Sequence, residues 1–461
     1  MNFILEIFIN ALIFILPLIY ILYHLILYKF GSSVSFLKDL TLENYPYISI
    51  IVPIKNEPLE LLQGLLNNLS ELLWDKNKLE VIIVSDDTDD YFNYIKNNIV
   101  IPEGLNVKLL ERTNKLGFKS GALTYGFFNS TGELILTLDV DARLKKDELL
   151  KAYKKMISDG CDAVTMKWIG YYRSPKSKVA KALTVLTLFT SESIQKGRER
   201  LGFQVFPVGC GTLFKRNVIE EVGPWDYRII QDDLEIGARL LAFNKKVCAS
   251  DSTVSVIVPE DFFSYYIQQT RWAMGESEVL RNRFKEIFYS KQKLLEKIEA
   301  FFFLTQYLPI STTFLGTILL VVLAAFKQSF NLNLIAFLSW LIMNILYSYE
   351  YIRLSYRLGY TTKESLMSLG RLSAYTEALS PFIFYNMVVG LLKIGNKTYN
   401  VTPKSKKLKN KKIILIIFLF GVLFLTGSML SYIYKDYLSS FWLLTYSSGF
   451  LYTSLMYKKE L

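Results

Sequence analysis

Apolar positions fall into two regimes along the chain: long unbroken runs at the start and in the last third, and short bursts between Tyr47 and Lys297. Phe3 to Tyr28 has no Lys or Arg and, tyrosines aside, only Glu6 and His24 as ionisable groups. At about 1.5 Å per residue this run exceeds the ~30 Å hydrocarbon core of a bilayer. No clear basic stretch precedes it and no clear small-residue cleavage site follows, so it predicts a retained span (residues 1–30) rather than a signal peptide. Phe301 to Phe326 and Leu332 to Tyr349 predict a helical pair with a short outside turn, and Ile413 to Tyr434 and Leu438 to Tyr457 a second pair, within a C-terminal membrane domain at 291–461. Leu372 to Leu392 is also apolar. If it crossed the bilayer, however, Lys404 to Lys412 would face outside, against the positive-inside bias. Glu377 and Pro381 are also awkward at that depth, so 372–392 is expected to be interfacial or re-entrant.

The middle region, 45–290, has a different rhythm. Tyr47 to Ile54 predicts a strand, Leu59 to Leu69 a helix, Leu79 to Ser85 a strand and Asp89 to Asn98 a helix. A strand near Val107, a helix from Lys119 to Phe128, a strand ending at Asp139 and a helix from Lys146 to Ser158 continue the alternation. Near-continuously apolar strands alternating with helices predict an open, mostly parallel α/β sheet covered on both faces. Ligands of such sheets bind beyond the carboxyl ends of the strands. Pro53, Asn56, Glu57, Asp86, Asp87, Asp139 and Asp141 fall there.

Charge and cysteines narrow the picture. The net charge is +11, but the basic residues gather beside apolar runs, most densely from Lys393 to Lys412. That placement suits membrane orientation and not a nucleic-acid footprint. It puts Lys29, Lys38 and the middle domain on the cytoplasmic side of a multi-pass cell-membrane protein. The 3 cysteines, Cys161, Cys210 and Cys248, lack metal-ligand spacing, and their odd count predicts free thiols in a reducing compartment. With 1 histidine, neither a His-based triad nor a His-ligated metal site is available.

The strand from Leu134 leads into Asp139-Val140-Asp141. If the segment stays extended, both carboxylates lie on one face with Cα atoms roughly 7 Å apart, able to converge on one Mg²⁺ or Mn²⁺. Such an ion fills its remaining positions with water and phosphate oxygens. An isolated pair of this kind is also an ordinary acidic turn, so the rest of the chain has to decide. The runs IIVPIKNEPLELLQGLLNNL, VIIVSDDTDD, GFKSGALTYGF and ILTLDVDAR, in this order, resemble the nucleotide-binding half of family-2 glycosyltransferases with the GT-A fold. The resemblance implies that Asp86 and Asp87 contact the nucleobase and ribose, that Pro53 and Glu57 belong to the same nucleotide-sugar site, that Lys119 lies beside the diphosphate, and that Asp139 and Asp141 hold the metal. Read alone, Asp86 and Asp87 are equally a polar turn capping the next helix.

The second half extends the likeness. Gly209-Cys210-Gly211-Thr212 resembles the small-residue loop of the acceptor pocket, with Cys210 where a small residue is usual. Gln231-Asp232-Asp233 stands where the family has Thr-Glu-Asp, which implies Asp233 as general base, although an Asp before a helix is also a standard N-cap. Gln268, Gln269, Arg271 and Trp272 match the Q-Q-x-R-W signature of processive membrane enzymes such as cellulose and hyaluronan synthases. There an indole offers a face to a sugar and a guanidinium can offset diphosphate charge. Tyr399, Val401, Thr402 and Lys404 resemble the gating loop of cellulose-synthase-like enzymes, within 396–407, which implies that Thr402 and Lys404 reach the nucleotide. The expected partners are a nucleotide-diphosphate sugar, a UDP-sugar being favoured, a growing glycan or lipid acceptor, and the bilayer. Processive polysaccharide synthesis is the leading expectation. A non-processive transfer to lipid, as by ceramide glucosyltransferase, is the alternative.

Overall fold

The computed structural model describes residues 2–32, 45–327, 332–394 and 410–460. Helix α1 (residues 2–31) carries a π-helical stretch at Ala11–Ile15. There follow β1 (Ile48–Ile54), α2 (Leu59–Ser70), β2 (Leu79–Ser85), α3 (Asp89–Asn98), β3 (Asn106–Glu111), α4 (Phe118–Phe128), β4 (Leu134–Thr137) and α5 (Glu148–Asp159). Because side chains alternate across a strand, β1 feeds two cores. Ile48, Ile50 and Val52 meet Leu62, Leu65, Leu66 and Leu69 of α2, whereas Ile51 meets Ala122, Leu123 and Phe127 of α4. Gly126 permits that second contact, since a Cβ there would fall 2.5 Å from Ile51 Cγ2. Pro53 is tolerated in a central strand because the β1–β4 ladder ends at Ile51, and the N–H that proline lacks would point past it.

The second half of the domain adds β5 (Ala163–Tyr171), α6 (residues 178–200), β6 (Thr212–Lys215), α7 (Arg216–Val222), α8 (Asp232–Ala242) and β7 (Val247–Ile257). The 7-stranded sheet has the order β3-β2-β1-β4-β6-β5-β7. β6 alone runs antiparallel, to both its neighbours, so the sheet is mostly parallel, as expected, with one reversed strand. Burial pattern alone carries no strand direction, and β6 is too short to betray its reversal.

The cysteine expectation is corrected. Cys161 and Cys248 form a disulfide with Cα atoms 6.0 Å apart, and only Cys210 is free. The parallel pairing of β5 with β7, which sets Val164 opposite Cys248, brings the two thiols together across 87 residues of sequence.

Beyond the sheet come α9 (Phe262–Phe288), α10 (Leu294–Phe303), α11 (Leu308–Ala325), α12 (Leu334–Arg357), α13 (Thr362–Leu392), α14 (Lys411–Ile433) and α15 (Tyr437–Glu460). Among the described residues, 4 helices are long and apolar enough to cross a membrane: α1, α11, α12 and α14. The run expected from Phe301 is broken by a turn after Phe303, and Pro309 starts the next helix. α15 forms but is not among the 4. It pairs with α14 through small polar groups: Ser447 Oγ donates to Gly421 O at 2.7 Å, and Ser428 Oγ to Ser440 O at 2.8 Å. The expected 372–392 helix is the second part of α13, which continues through Pro381. Proline cannot donate to the carbonyl four residues back. Ser380 Oγ supplies that bond instead, donating to Glu377 O at 2.7 Å.

Candidate active site

A cavity of about 530 Å³ opens beyond the carboxyl ends of β1, β2 and β4 and continues to the long apolar helices. Pro53, Glu57, Asp86, Lys119, Asp139, Asp141, Asp233, Gln268, Gln269, Arg271 and Trp272 all line it. Asp87 does not, and Thr402 and Lys404 lie outside the described residues.

After β4 the chain turns sharply: Ala142 N donates to Asp139 O at 3.0 Å. The two carboxylates therefore sit on a β-turn and not on an extended face as expected. Asp139 is partly exposed, and its N–H donates to Cys210 Sγ at 3.3 Å. Asp141 is buried, and its Oδ2 accepts from Ile257 N at 2.8 Å. Trp168 Nε1 donates to Cys210 O at 2.7 Å, so the Gly209–Thr212 loop buttresses the acidic turn. Burial, with Asp139 adding to it, pushes the Cys210 thiol well above its usual range, which suits a neutral hydrogen-bond acceptor.

Lys119, in the first turn of α4, places Nζ 2.8 Å from Asp139 Oδ1 and 3.8 Å from Asp232 Oδ2, and donates to Gly209 O at 2.8 Å. Asp86 is held by Arg112 through Nε at 2.6 Å and Nη2 at 2.5 Å. Asp87 is turned inward. It accepts from Asn56 N and, at 2.8 Å, from Ser85 Oγ, which ties the ends of β1 and β2 together. Asn56 has a φ of 55°, in the left-handed region that Asn tolerates.

Asp232 and Asp233 begin α8, and neither is its N-cap; Gln231 holds that position without a side-chain capping bond. Asp233 Oδ1 accepts from Leu234 N at 2.8 Å and Gln231 Nε2 at 2.9 Å. Its Oδ2 faces Gly209, where an added Cβ would come within 3.3 Å. Burial drives both carboxyls up, opposed mainly by Lys119, and Asp232 reaches about 7. A carboxyl near 7, as at Asp232, is poised to exchange protons near neutrality.

On α9, Gln268, Arg271 and Trp272 share one face by their i, i+3, i+4 spacing. Gln269 accepts from Tyr307 Oη at 2.8 Å, and Glu276 accepts from Tyr307 N at 3.4 Å. Burial raises the Glu276 carboxyl to about 8. Tyr307 thus fixes the Gln268–Trp272 face to the start of α11. Sequence reasoning missed Glu276, Arg112 and Trp168, and treated Asp232 as a mere departure from a motif. The adjacent acidic pair before an amphipathic helix was a usable signal for Asp232. Nothing in the local pattern marked Arg112.

No group of three His, Cys, Asp or Glu side chains that could hold a metal occurs among the described residues. Two carboxylates opening on a cavity nevertheless fit Mg²⁺ or Mn²⁺, which characteristically takes its other ligands from water and substrate phosphate. Asp139 and Asp141 would hold it, and Lys119 would have to give up its contact with Asp139.

The chain is similar to several known proteins. The model of the family "Glycosyl transferase family group 2" matches residues 134–352. A probable glycosyltransferase of Sulfolobus acidocaldarius is 48% identical over 99% of each chain. A probable glucomannan 4-beta-mannosyltransferase of Arabidopsis thaliana is 25% identical over 63% of this chain and 54% of its own length. Among solved structures, a mannosyltransferase of Pyrobaculum calidifontis, in complex with GDP-Man and Mn²⁺, superposes with a TM-score of 0.54 at 18% identity, covering 84% of this chain and 99% of its own.

Proposed function

The chain belongs to the family-2 glycosyltransferases and has a GT-A-like fold, and on that premise we propose that it is a membrane-embedded inverting transferase that extends a glycan processively from a nucleotide-diphosphate sugar. The observation that carries this reading is the continuity of the cavity. It joins the acidic turn, the Asp232–Asp233 pair and the Gln268–Trp272 face, and reaches His24, Gln306 and Tyr347 among the membrane helices. A product leaving the acceptor side therefore enters the helical bundle.

Asp139 and Asp141 would hold a divalent ion, which when bound would supply charge stabilisation to the departing nucleotide. Lys119 and Arg271 add positive charge beside it. Asp86 and Arg112 orient the nucleoside, with Pro53 and Glu57 along its edge, and Trp272 presents a ring face to the acceptor sugar. The acceptor hydroxyl attacks the anomeric carbon and its proton passes to Asp233 Oδ2. The new glycosidic bond forms as the bond from that carbon to phosphate breaks, and its electron pair leaves with the nucleoside diphosphate. No enzyme nucleophile is required. Thr402 and Lys404, outside the described residues, would by the motif's resemblance contribute a hydroxyl and a positive charge to the nucleotide site. The catalytic domain faces the cytoplasm, as the basic residues around the spans direct.

A second reading, transfer of one sugar to a lipid, is favoured by the aliphatic Leu183, Leu186 and Ile310 on the membrane side of the cavity. Membranes carrying the protein, incubated with labelled GDP-mannose and UDP-hexoses, distinguish the two by product size. Products of many sugars support the processive reading. A singly glycosylated lipid as sole product overturns it.

A further inference from the structure

The π-helical turn Ser191–Gly197 of α6 has no part in the chemistry described above. π-turns are rare and occur frequently at functional sites. This one puts Ser191, Ile194 and Gln195 on the cavity wall. Gln195 is 6% exposed, and its Oε1 has no hydrogen-bond partner among the described residues. A buried acceptor left unpaired costs on the order of 1–3 kcal/mol, which a ligand hydroxyl in the cavity would relieve.

The wall is rigid. A Cβ on Gly197 would fall 2.2 Å from Leu27 O, and one on Gly31 would fall 1.7 Å from Glu192 O, so α1 and the π-turn touch backbone to backbone. One residue beyond the turn, Arg198 pairs with Glu299 of α10 at 2.7 and 2.8 Å, and Glu299 also accepts from Tyr23 Oη of α1 at 2.6 Å. The turn that carries Gln195 is thereby braced by α1 and α10. The rings of Phe303 and Tyr347 and the amide of Gln306 line the same cavity, Phe303 beside Arg198 and Tyr347 beside Phe189 of α6.

A pyranose has what this arrangement lacks, hydroxyl donors at its edge and a C–H face for an aromatic ring, whereas a lipid chain would leave the amide oxygen unpaired. We propose that Gln195 Oε1 accepts a hydrogen bond from a hydroxyl of the acceptor glycan, making the π-turn of α6 a saccharide subsite on the membrane side of the reaction centre. This assignment rests on the transferase reading above.

The full-length enzyme in detergent, with labelled nucleotide sugar and short β-linked manno- and gluco-oligosaccharides as acceptors, tests it. Gln195→Met keeps the side chain's length and removes its acceptor. KM for the oligosaccharide should rise by about tenfold, the equivalent of one hydrogen bond of about 1.4 kcal/mol. Nucleoside diphosphate binding, measured by calorimetry, should stay within about twofold, because a hydrogen bond lost at a separate site does not alter donor contacts. Gln195→Asn, which retains the amide one methylene short, should fall between wild type and Gln195→Met. An unchanged oligosaccharide KM in both variants overturns the subsite. So does a wild-type enzyme that glycosylates a polyprenyl phosphate and ignores every oligosaccharide. A wild-type enzyme that binds no nucleotide sugar instead overturns the function on which the subsite rests.

Discussion

Replacing Asp233 by Asn tests the proton acceptor with little disturbance to the site. Asp233 Oδ1 already holds Leu234 N and Gln231 Nε2, and an asparagine carbonyl at the same position keeps both bonds. Only Oδ2, the oxygen beside Gly209, changes from a proton acceptor to an amide donor. Lys119, 3.8 Å from Asp232, is untouched by the substitution, so the positive charge near the diphosphate is preserved. The expected result is therefore a loss in turnover with nucleotide affinity nearly intact. A positioned general base contributes about 10²–10⁴ in rate. The smallest loss consistent with the assignment is thus ~100-fold, or about 2.7 kcal/mol of transition-state stabilisation. Turnover is measured with labelled nucleotide sugar at saturating donor, and nucleoside diphosphate binding by calorimetry. Asp232→Asn is the paired control, because Asp232 sits closer to Lys119 and should weaken donor binding as well as turnover. If Asp233→Asn loses less than about tenfold while Asp232→Asn loses more than ~100-fold, the base is Asp232 and the assignment fails.

Excess chelator should abolish transfer, and Asp141→Asn should lose most activity while retaining the wild-type elution profile in detergent; full activity in chelator would refute the metal role. Because burial raises both carboxyls of the Asp232–Asp233 pair, kcat/KM should fall on the acid side at a pH above the ordinary carboxylate range, as the accepting carboxylate becomes protonated. An acid limb at the ordinary carboxylate value of about 4 would show that neither is the base. Reducing the Cys161–Cys248 bond, which closes a span of 87 residues, should destabilise the domain by up to ~4–5 kcal/mol on loop-entropy grounds, read as a lower Tm in reductant. Replacing Thr402 and Lys404 together by Ala should severely shorten the glycan product; an unchanged product length would remove the loop from the mechanism.

Much of the nucleotide half was legible because its signals are local. Apolar strands such as Ile48–Ile54 and Leu79–Ser85, the leucine stripe of α2 and the helix Asp89–Asn98 each follow from periodicity within a dozen residues or so. So did the clustering of chemistry at strand ends, since a parallel β1–β2–β4 arrangement leaves Asp86, Asp139 and Asp141 no other place. What misled were residues whose roles depend on distant partners. Asp86 and Asp87 look alike in sequence. One meets Arg112 at the cavity and the other braces Asn56 and Ser85.

The sequence by itself determined the alternation of buried strands and amphipathic helices, the apolar spans at both ends and the order of the site motifs, because these depend on side-chain type at short spacing. Tertiary structure alone decided the reversed β6, the Cys161–Cys248 pairing, the bracing of the acidic turn by Cys210 and Ile257, and the packing against α1 of the π-turn of α6, where Gln195 Oε1 has no hydrogen-bond partner among the described residues. Each depends on which segments pack together across scores of residues. That choice is made by burial and backbone hydrogen bonding over the whole domain, and no local window of the chain contains both sides of the contact.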